Sequence, residues 1–196
     1  MLVPLTPDLA AASCLAMMQA GEQSPAAAFA RIMTRLTRGE NTNIAQILSP
    51  IIADEQRHDA LLAYHAATLP AVRVDHCARR FFRRLETREP AIHLARIAAL
   101  DACACQILSH MLAPVARAHL RPALVNALAS IRRDEGFHVR QARRLAFELG
   151  IEPARMHDIE GTVRRAFAML LASRAPHLEA LGIDCLVLLK RIDRER

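Results

Sequence analysis

Two short sequences of the same pattern constrain the fold of this 196-residue chain more than any other feature. Residues 54–58 and 134–138 both read Asp-Glu-x-x-His. In an α-helix, residues three positions apart project from the same face, so the Glu and the His of each pattern can bind one metal ion together. In a chain of this composition, about 0.02 matches are expected by chance. The pair therefore predicts two helices that contribute ligands to a metal centre.

Two further acids stand at matching distances before these patterns. Glu22 precedes Glu55 by 33 residues, and Asp101 precedes Glu135 by 34 residues. Such intervals place each acid one helix upstream, at about the same depth in an antiparallel hairpin. Asp101 lies in the apolar run 97–108, where a lone carboxylate needs a partner. Glu22 has an alternative interpretation as an ordinary acid at a helix end.

The composition predicts an all-α fold, because only 6 glycines and 4% aromatic residues are present and 53% of the residues are hydrophobic. Proline and glycine divide the chain at helical intervals. The predicted helices span residues 7–38, 43–69, 90 to 114–117, 122–149, 153–173 and 177–192. Pro25 and Pro50 fall inside two of them, where each either kinks or breaks the helix, or begins a new helix capped by the preceding serine.

The connection over residues 70–89 is long enough to return along the whole length of a helical bundle. Fully extended, it could reach roughly 60 Å, which exceeds the length of a helical bundle. The third helix can therefore lie parallel to the second. We expect a single domain over residues 1–196, with a bundle over 8–149 and a C-terminal helical extension over 150–196.

The order carboxylate, Asp-Glu-x-x-His, crossover, carboxylate, Asp-Glu-x-x-His resembles the di-iron carboxylate proteins of the ferritin-like superfamily. The 33-residue interval is especially similar to bacterioferritin and rubrerythrin. This resemblance covers residues 8–149. It implies a ferritin-like four-helix bundle with one long crossover, here followed by one or two extra C-terminal helices.

The resemblance also implies six metal ligands. They are Glu22 and His58 as terminal ligands of one iron, Asp101 and His138 as terminal ligands of the other, and Glu55 and Glu135 as bridging, catalytic carboxylates. In the family, the acid before each bridging Glu accepts a hydrogen bond from the opposite histidine, which fixes the imidazole. This assigns Asp54 to His138 and Asp134 to His58. Asp101 is one methylene shorter than the usual Glu, so carboxylate shifts at its metal should be harder.

The implied function is that of a di-iron oxidoreductase. We expect an oxidase or oxygenase that uses two iron ions and O₂ to hydroxylate or N-oxygenate an organic substrate, with manganese as the alternative metal. Three alternatives stay open: a bacterioferritin-like iron store, a peroxide scavenger of the rubrerythrin or manganese-catalase type, and a tRNA-modifying hydroxylase. The five cysteines form no CxxC pair, which argues against a rubredoxin-type iron centre.

The net charge of +6 raises the question of an acidic partner. Arginines cluster over residues 79–88, which suits a carrier protein, a phosphorylated substrate or RNA, although a solvated surface and not a nucleic-acid site is the favoured explanation. We expect a small-molecule or carrier-bound substrate and an electron donor, and a homodimer is compatible with the sequence. The N-terminus has no basic segment before an apolar one, and no apolar run is long enough to cross a bilayer, so the sequence predicts a cytoplasmic protein with no membrane partner.

Overall fold

The structure is a computed structural model that describes residues 5–22, 25–36, 42–73 and 75–194. Over these ranges the chain is helical and contains no β-strand, which confirms the all-α class. The helices of this part of the chain are α1 (Pro7–Glu22), α2 (Pro25–Leu36), α3 (Thr42–Ala66), α4 (His76–Leu85), α5 (Pro90–Met111), α6 (Pro114–Arg117), α7 (Pro122–Glu148), α8 (Pro153–Ala172), α9 (Ala175–Ala180) and α10 (Cys185–Arg194).

Prolines mark the beginnings of several helices, as predicted. Pro90, Pro122 and Pro153 each occupy the first turn of a helix. Proline suits this position because its missing N–H would have no partner there and its fixed φ is helical. The predicted third helix ends earlier than its limit of 114–117, and Pro114 instead begins the short helix α6.

The two internal prolines behave differently. The predicted helix over residues 7–38 divides into α1 and α2, and α2 begins at Pro25. Pro50, in contrast, lies within the continuous helix α3. The alternative in which Ser49 caps a new helix is therefore wrong. The Ser49 hydroxyl donates to the carbonyl of Ala45 at 2.7 Å, a bond to the preceding turn that fits a residue inside a helix.

The connection over residues 70–89 contains an additional helix, α4. Asp75 caps this helix, because its Oδ1 accepts a hydrogen bond from the backbone N–H of Ala78 at 2.8 Å. The other oxygen of Asp75 binds the guanidinium of Arg174, which lies between α8 and α9. The connection is thus tied to the C-terminal extension and packs against α1, α5 and α8.

Contacts at the two ends of the long helices fix their directions. Arg35 of α2 donates to the carbonyl of Arg88 at 2.6 Å, so α5 begins at the end of the bundle where α2 ends and α3 begins. At the opposite end, Arg121 donates to the carbonyl of Thr68, also at 2.6 Å, so α7 begins where α3 ends. α3 and α5 therefore run parallel, and α7 runs antiparallel to both. These directions agree with the predicted crossover.

The core consists of two apolar clusters at different depths along the long helices. Phe29, Leu48 and Leu145 belong to one cluster, and Leu62 and Leu128 belong to the other. The second cluster continues into α8, α9 and α10. The C-terminal extension therefore buries its apolar side chains against the same core as α1, α5 and α7.

The last predicted helix, over residues 177–192, is interrupted. Gly182 has a φ of 74°, a conformation that favours glycine, and it separates α9 from α10. α10 then begins with a side-chain contact, because Asp184 Oδ1 accepts a hydrogen bond from the N–H of Val187 at 2.9 Å. The turn explains why two short helices replace one.

The apolar helix α5 requires one correction. Within the described residues, this helix alone is long and apolar enough to cross a membrane by length and composition, contrary to the expectation that no run would be. However, 61% of its apolar window is buried inside the fold, and Asp101 lies near its middle. This burial is compatible with a core helix of a soluble protein, and the cytoplasmic location stays a prediction.

Candidate metal centre

A layer of polar side chains lies between the two apolar clusters. Its buried members are Glu55 and His58 on α3, Asp101 on α5, and Glu135 and His138 on α7. On α3, Ile51 lies one turn before the layer and Leu62 one turn after it. Each of the five side chains is at most 4% exposed, so water cannot satisfy their charges and hydrogen bonds.

Four of the six predicted ligands converge on one point. Ligand atoms of Glu55, Asp101, Glu135 and His138 lie within 4.8 Å of one another. Donor atoms that bind one cation at about 2.0–2.2 Å lie within roughly 4.4 Å of each other. The side chains of three helices are thus already close to the separations that a bound cation would impose.

The histidines face the glutamates of the opposite helix. His58 Nδ1 lies 3.2 Å from Glu135 Oε1, and His138 Nδ1 lies 2.9 Å from Glu55 Oε1. The second oxygen of Glu135 lies 3.8 Å from His138 Nδ1, so the two oxygens of this carboxylate face different histidines. A carboxylate that bridges two cations needs this arrangement.

The outer nitrogens of both histidines face the predicted aspartates. His58 Nε2 lies 3.2 Å from Asp134 Oδ2, and His138 Nε2 lies 3.4 Å from Asp54 Oδ2. With Nε2–H donated to an aspartate, Nδ1 faces a glutamate, and a cation bound there would displace the proton that the raised pKa of the imidazole favours on Nδ1. The two pairs thus orient both imidazoles for metal binding through Nδ1.

Arg57 joins the two aspartates and was not predicted as a site residue. Its guanidinium donates to Asp54 Oδ1 at 2.6 Å and to Asp134 Oδ2 at 3.0 Å. The position of Arg57 three residues after Asp54 could have indicated the first contact, since residues at that spacing pair on a helix. The second contact depends on how α3 packs against α7, which sequence alone does not give.

Asp101 and Glu135 resist ionisation without a cation. Burial raises the pKa of Asp101 well above its ordinary value, and the nearby Glu135 and Glu55 add to the effect. Burial also raises the pKa of Glu135, although a hydrogen bond with His58 acts in the opposite direction. Desolvation and like-charge repulsion thus both favour the protonated acids.

The nearby carboxylates also raise the pKa values of the two imidazoles, which favours the charged form of each ring. Burial acts to lower the pKa of His58, but the hydrogen bond and charge of Glu135 outweigh it and leave the pKa raised. The pKa of His138 is raised in the same way, mainly by Glu55. For Asp134, burial is outweighed by hydrogen bonds from Arg57 and His58, which lower the pKa of the carboxyl group.

Glu55, Asp101, Glu135 and His138 form a group of side chains that is suited to a metal ion. Carboxylate oxygens and imidazole nitrogens are common ligands of iron and manganese. Asp101 Oδ2 is buried and has no hydrogen-bond partner among the described residues, which leaves a lone pair available to a cation. Of the predicted set, Glu22 is the last residue of α1, and its side chain lies outside the described part of the chain.

A small apolar cavity adjoins the carboxylates of Glu55, Asp101 and Glu135. Its volume is about 50 Å³, room for a few molecules of the size of water, each of which needs roughly 10–15 Å³. The other side chains around it include Met17, Phe82, Leu100, Ile107, Ile131 and Phe167. Phe82 and Phe167 come from α4 and α8, so the connection and the extension close one side of the cavity.

No protein-family model, curated protein or solved structure matches this chain.

Proposed function

We propose that this chain is a ferritin-like di-metal oxidoreductase, with iron as the favoured metal, which uses O₂ to oxidise an organic substrate by hydroxylation or N-oxygenation. The observation that carries the proposal is the buried layer of three carboxylates and two imidazoles from three helices. Such a layer is costly to bury unless cations neutralise it. The parallel course of α3 and α5, with a Glu-x-x-His pattern on α3 and α7, supports the ferritin-like topology.

Glu55, Glu135, Asp101, His58 and His138 would hold the metals, with Glu22 as the sixth ligand. The three carboxylates of the described part carry a charge of −3 when ionised, and Glu22 would bring the set to −4, which two divalent ions neutralise. The bound pair would supply electrons for the reduction of O₂. Turnover would also need an external electron donor.

The protein side chains control the surroundings of this centre. Asp134 and Asp54 would accept the Nε2–H of each histidine, so that a cation could take the place of the proton on Nδ1. Because Asp101 is one methylene shorter than a Glu, its carboxylate would shift less at the metal that it binds. The apolar clusters above and below the layer exclude water, which strengthens the electrostatic interactions between ligands and cations.

The cavity beside the carboxylates suits the proposed reaction. Its volume of about 50 Å³ is sufficient to hold O₂. An organic substrate would have to displace a wall residue, and Phe82 and Phe167 lie where the structure could open between α4 and α8.

Oxygen uptake by iron-loaded protein tests the proposal. Metal-free protein is loaded anaerobically with ferrous ion, and O₂ consumption is measured after mixing with air-saturated buffer. We expect rapid uptake by the wild type with two irons per chain, and loss of both iron binding and uptake in Glu135→Ala with its helical circular dichroism retained. Glu148→Ala is the matched control, because this exposed acid on the same helix pairs with Arg144 at the surface. Equal uptake by wild type and Glu135→Ala would contradict the proposal.

Peroxide scavenging is a second candidate that the size of the cavity favours, since H₂O₂ also fits into about 50 Å³. Release of O₂ from H₂O₂ by manganese-loaded or iron-loaded protein, without an organic substrate, measures this activity directly. Fast release together with negligible uptake of O₂ by ferrous protein would favour the scavenger over the oxygenase.

A further inference from the structure

A groove with a volume of about 620 Å³ lies on the surface between α4, the start of α5 and α8. Apolar side chains such as Phe81, Ile92 and Leu170 line part of it. Arginines from α4, α5 and α8 line another part, together with one acid, Asp158. Its volume lies within the range of roughly 300–1,000 Å³ that is usual for small-molecule sites.

Three arginines of the groove form no ion pair with the described residues. Arg80 and Arg84 stand one turn apart on α4, and Arg155 lies on α8. In the part of the chain that the structure describes, no carboxylate lies within salt-bridge distance of any of the three. Like charges one turn apart destabilise a helix, so an anionic ligand would relieve a repulsion that is built into α4.

The helix that carries Arg80 and Arg84 is fixed at both ends. Asp75 caps its beginning and binds Arg174. At its other end, Arg96 of α5 donates to the carbonyl of Leu85 at 3.1 Å. The guanidinium groups are therefore presented from an anchored helix, as a binding site requires.

An aromatic wall separates the groove from the cavity of the metal centre. Phe81 lines the groove, whereas Phe82 and Phe167 line the cavity. The ring of Phe81 lies 5.1 Å from that of Phe82 and 5.7 Å from that of Phe167, centroid to centroid. A ligand in the groove would thus lie one layer of side chains away from the carboxylates.

We propose that this groove binds a small amphiphilic anion, an organic phosphate or carboxylate whose charged group pairs with Arg80, Arg84 and Arg155 and whose apolar body lies against Phe81. That the anion is the substrate of the metal centre rests on the proposed function; the binding itself does not. The concave shape and the apolar lining favour a small molecule over RNA or a carrier protein, because a polyanion would need only the exposed charges.

Calorimetric titration with hexyl phosphate tests the groove in the full-length, metal-free protein. We expect saturable binding that weakens about tenfold or more in the double variant Arg80→Gln, Arg84→Gln, since charge-assisted bonds to phosphate are the strong contacts. The matched control is Arg79→Gln, Arg83→Gln, which removes the same charge from the same helix but from residues outside the groove. Equal losses in the two double variants would overturn the proposal.

Further ligands define the chemistry of the site. Hexyl phosphate should bind more tightly than inorganic phosphate or hexanol, because only the ester engages both the arginines and the apolar wall, and octanoate shows whether a carboxylate serves equally well. Binding of inorganic phosphate as tight as that of the ester would contradict the proposal. So would tight binding of a short RNA that both double variants weaken equally.

Glu135→Ala separates this inference from the proposed function. If the groove is the ligand site, the variant still binds hexyl phosphate with unchanged affinity, whether or not the wild type holds metals. If the proposed function alone is wrong, hexyl phosphate binding persists while ferrous protein consumes no O₂. Loss of hexyl phosphate binding in folded Glu135→Ala would overturn the groove assignment.

Discussion

At Asp101, a carboxylate lies on the buried face of the most apolar long helix, where Oδ2 has no hydrogen-bond partner among the described residues. Burial and the neighbouring Glu135 and Glu55 keep its pKa high in the metal-free protein. Protons and cations therefore compete for this side chain. This competition links metal binding, pH and stability at a single residue.

Asp101→Asn should make the stability of the metal-free protein less sensitive to pH. Above the ordinary pKa of 3.8, the unfolded chain releases the proton of Asp101 while the folded chain retains it, so stability falls as pH rises towards the raised pKa. Relative to Asp101→Asn, the wild type should lose at most about 1.4 kcal/mol for each pH unit in this window. Urea unfolding with a chelator at several pH values between 4 and 8 measures the difference; a difference that does not change with pH would contradict the burial argument.

The residues of the site were predictable where local spacing determines them. The Asp-Glu-x-x-His patterns placed Glu55, His58, Glu135 and His138 on helix faces, and the structure brings them together with Asp101. The contact of Arg57 with Asp134, 77 residues away, depends on tertiary packing and had no signal in the sequence. The cavity walls were missed for the same reason.

At the scale of helices, Arg57 connects α3 to α7 on the outer side of both histidines. Arg57→Gln should therefore loosen both aspartates and lower the affinity for metal by about tenfold at most, because Arg57 contacts the partners of the histidines and the loss of such a partner itself costs about 10- to 100-fold. Competition with a chromophoric chelator measures the affinity. Arg140→Gln, at an exposed position of α7 beside Phe137, is the control. Unchanged affinity in Arg57→Gln would exclude a positioning role.

The long helices were predictable from the sequence, whereas their interruptions were predictable only in part. Pro25 begins a new helix, but Pro50 is accommodated within α3, because neighbouring helices hold that segment and a single lost hydrogen bond does not end it. Helix α4 escaped prediction because its arginine-rich sequence gives no broad apolar stripe; only Ala78 and Phe82 are buried. Its capping residue, Asp75, also binds Arg174, which lies 99 residues away in the sequence, so that local sequence could not reveal this contact.

For the whole molecule, the state of assembly separates an oxidoreductase from an iron store. Storage requires a closed shell of many subunits, whereas the proposed enzyme functions as a monomer or a homodimer. With a chain mass of 21.7 kDa, we expect a particle of one or two chains by size-exclusion chromatography with light scattering. A shell of many subunits, with an iron content far above two per chain, would favour the bacterioferritin-like alternative.

The central claim is that side chains far apart in the sequence converge to hold two cations within one helical layer. Anomalous diffraction from crystals of metal-loaded protein, collected at the iron and manganese edges, tests it most directly. We predict two peaks inside the buried layer, one beside His58 and one beside His138, with Glu55 and Glu135 in contact with both. Absence of metal from this layer, or a separation of the two histidines onto opposite surfaces, would contradict the claim.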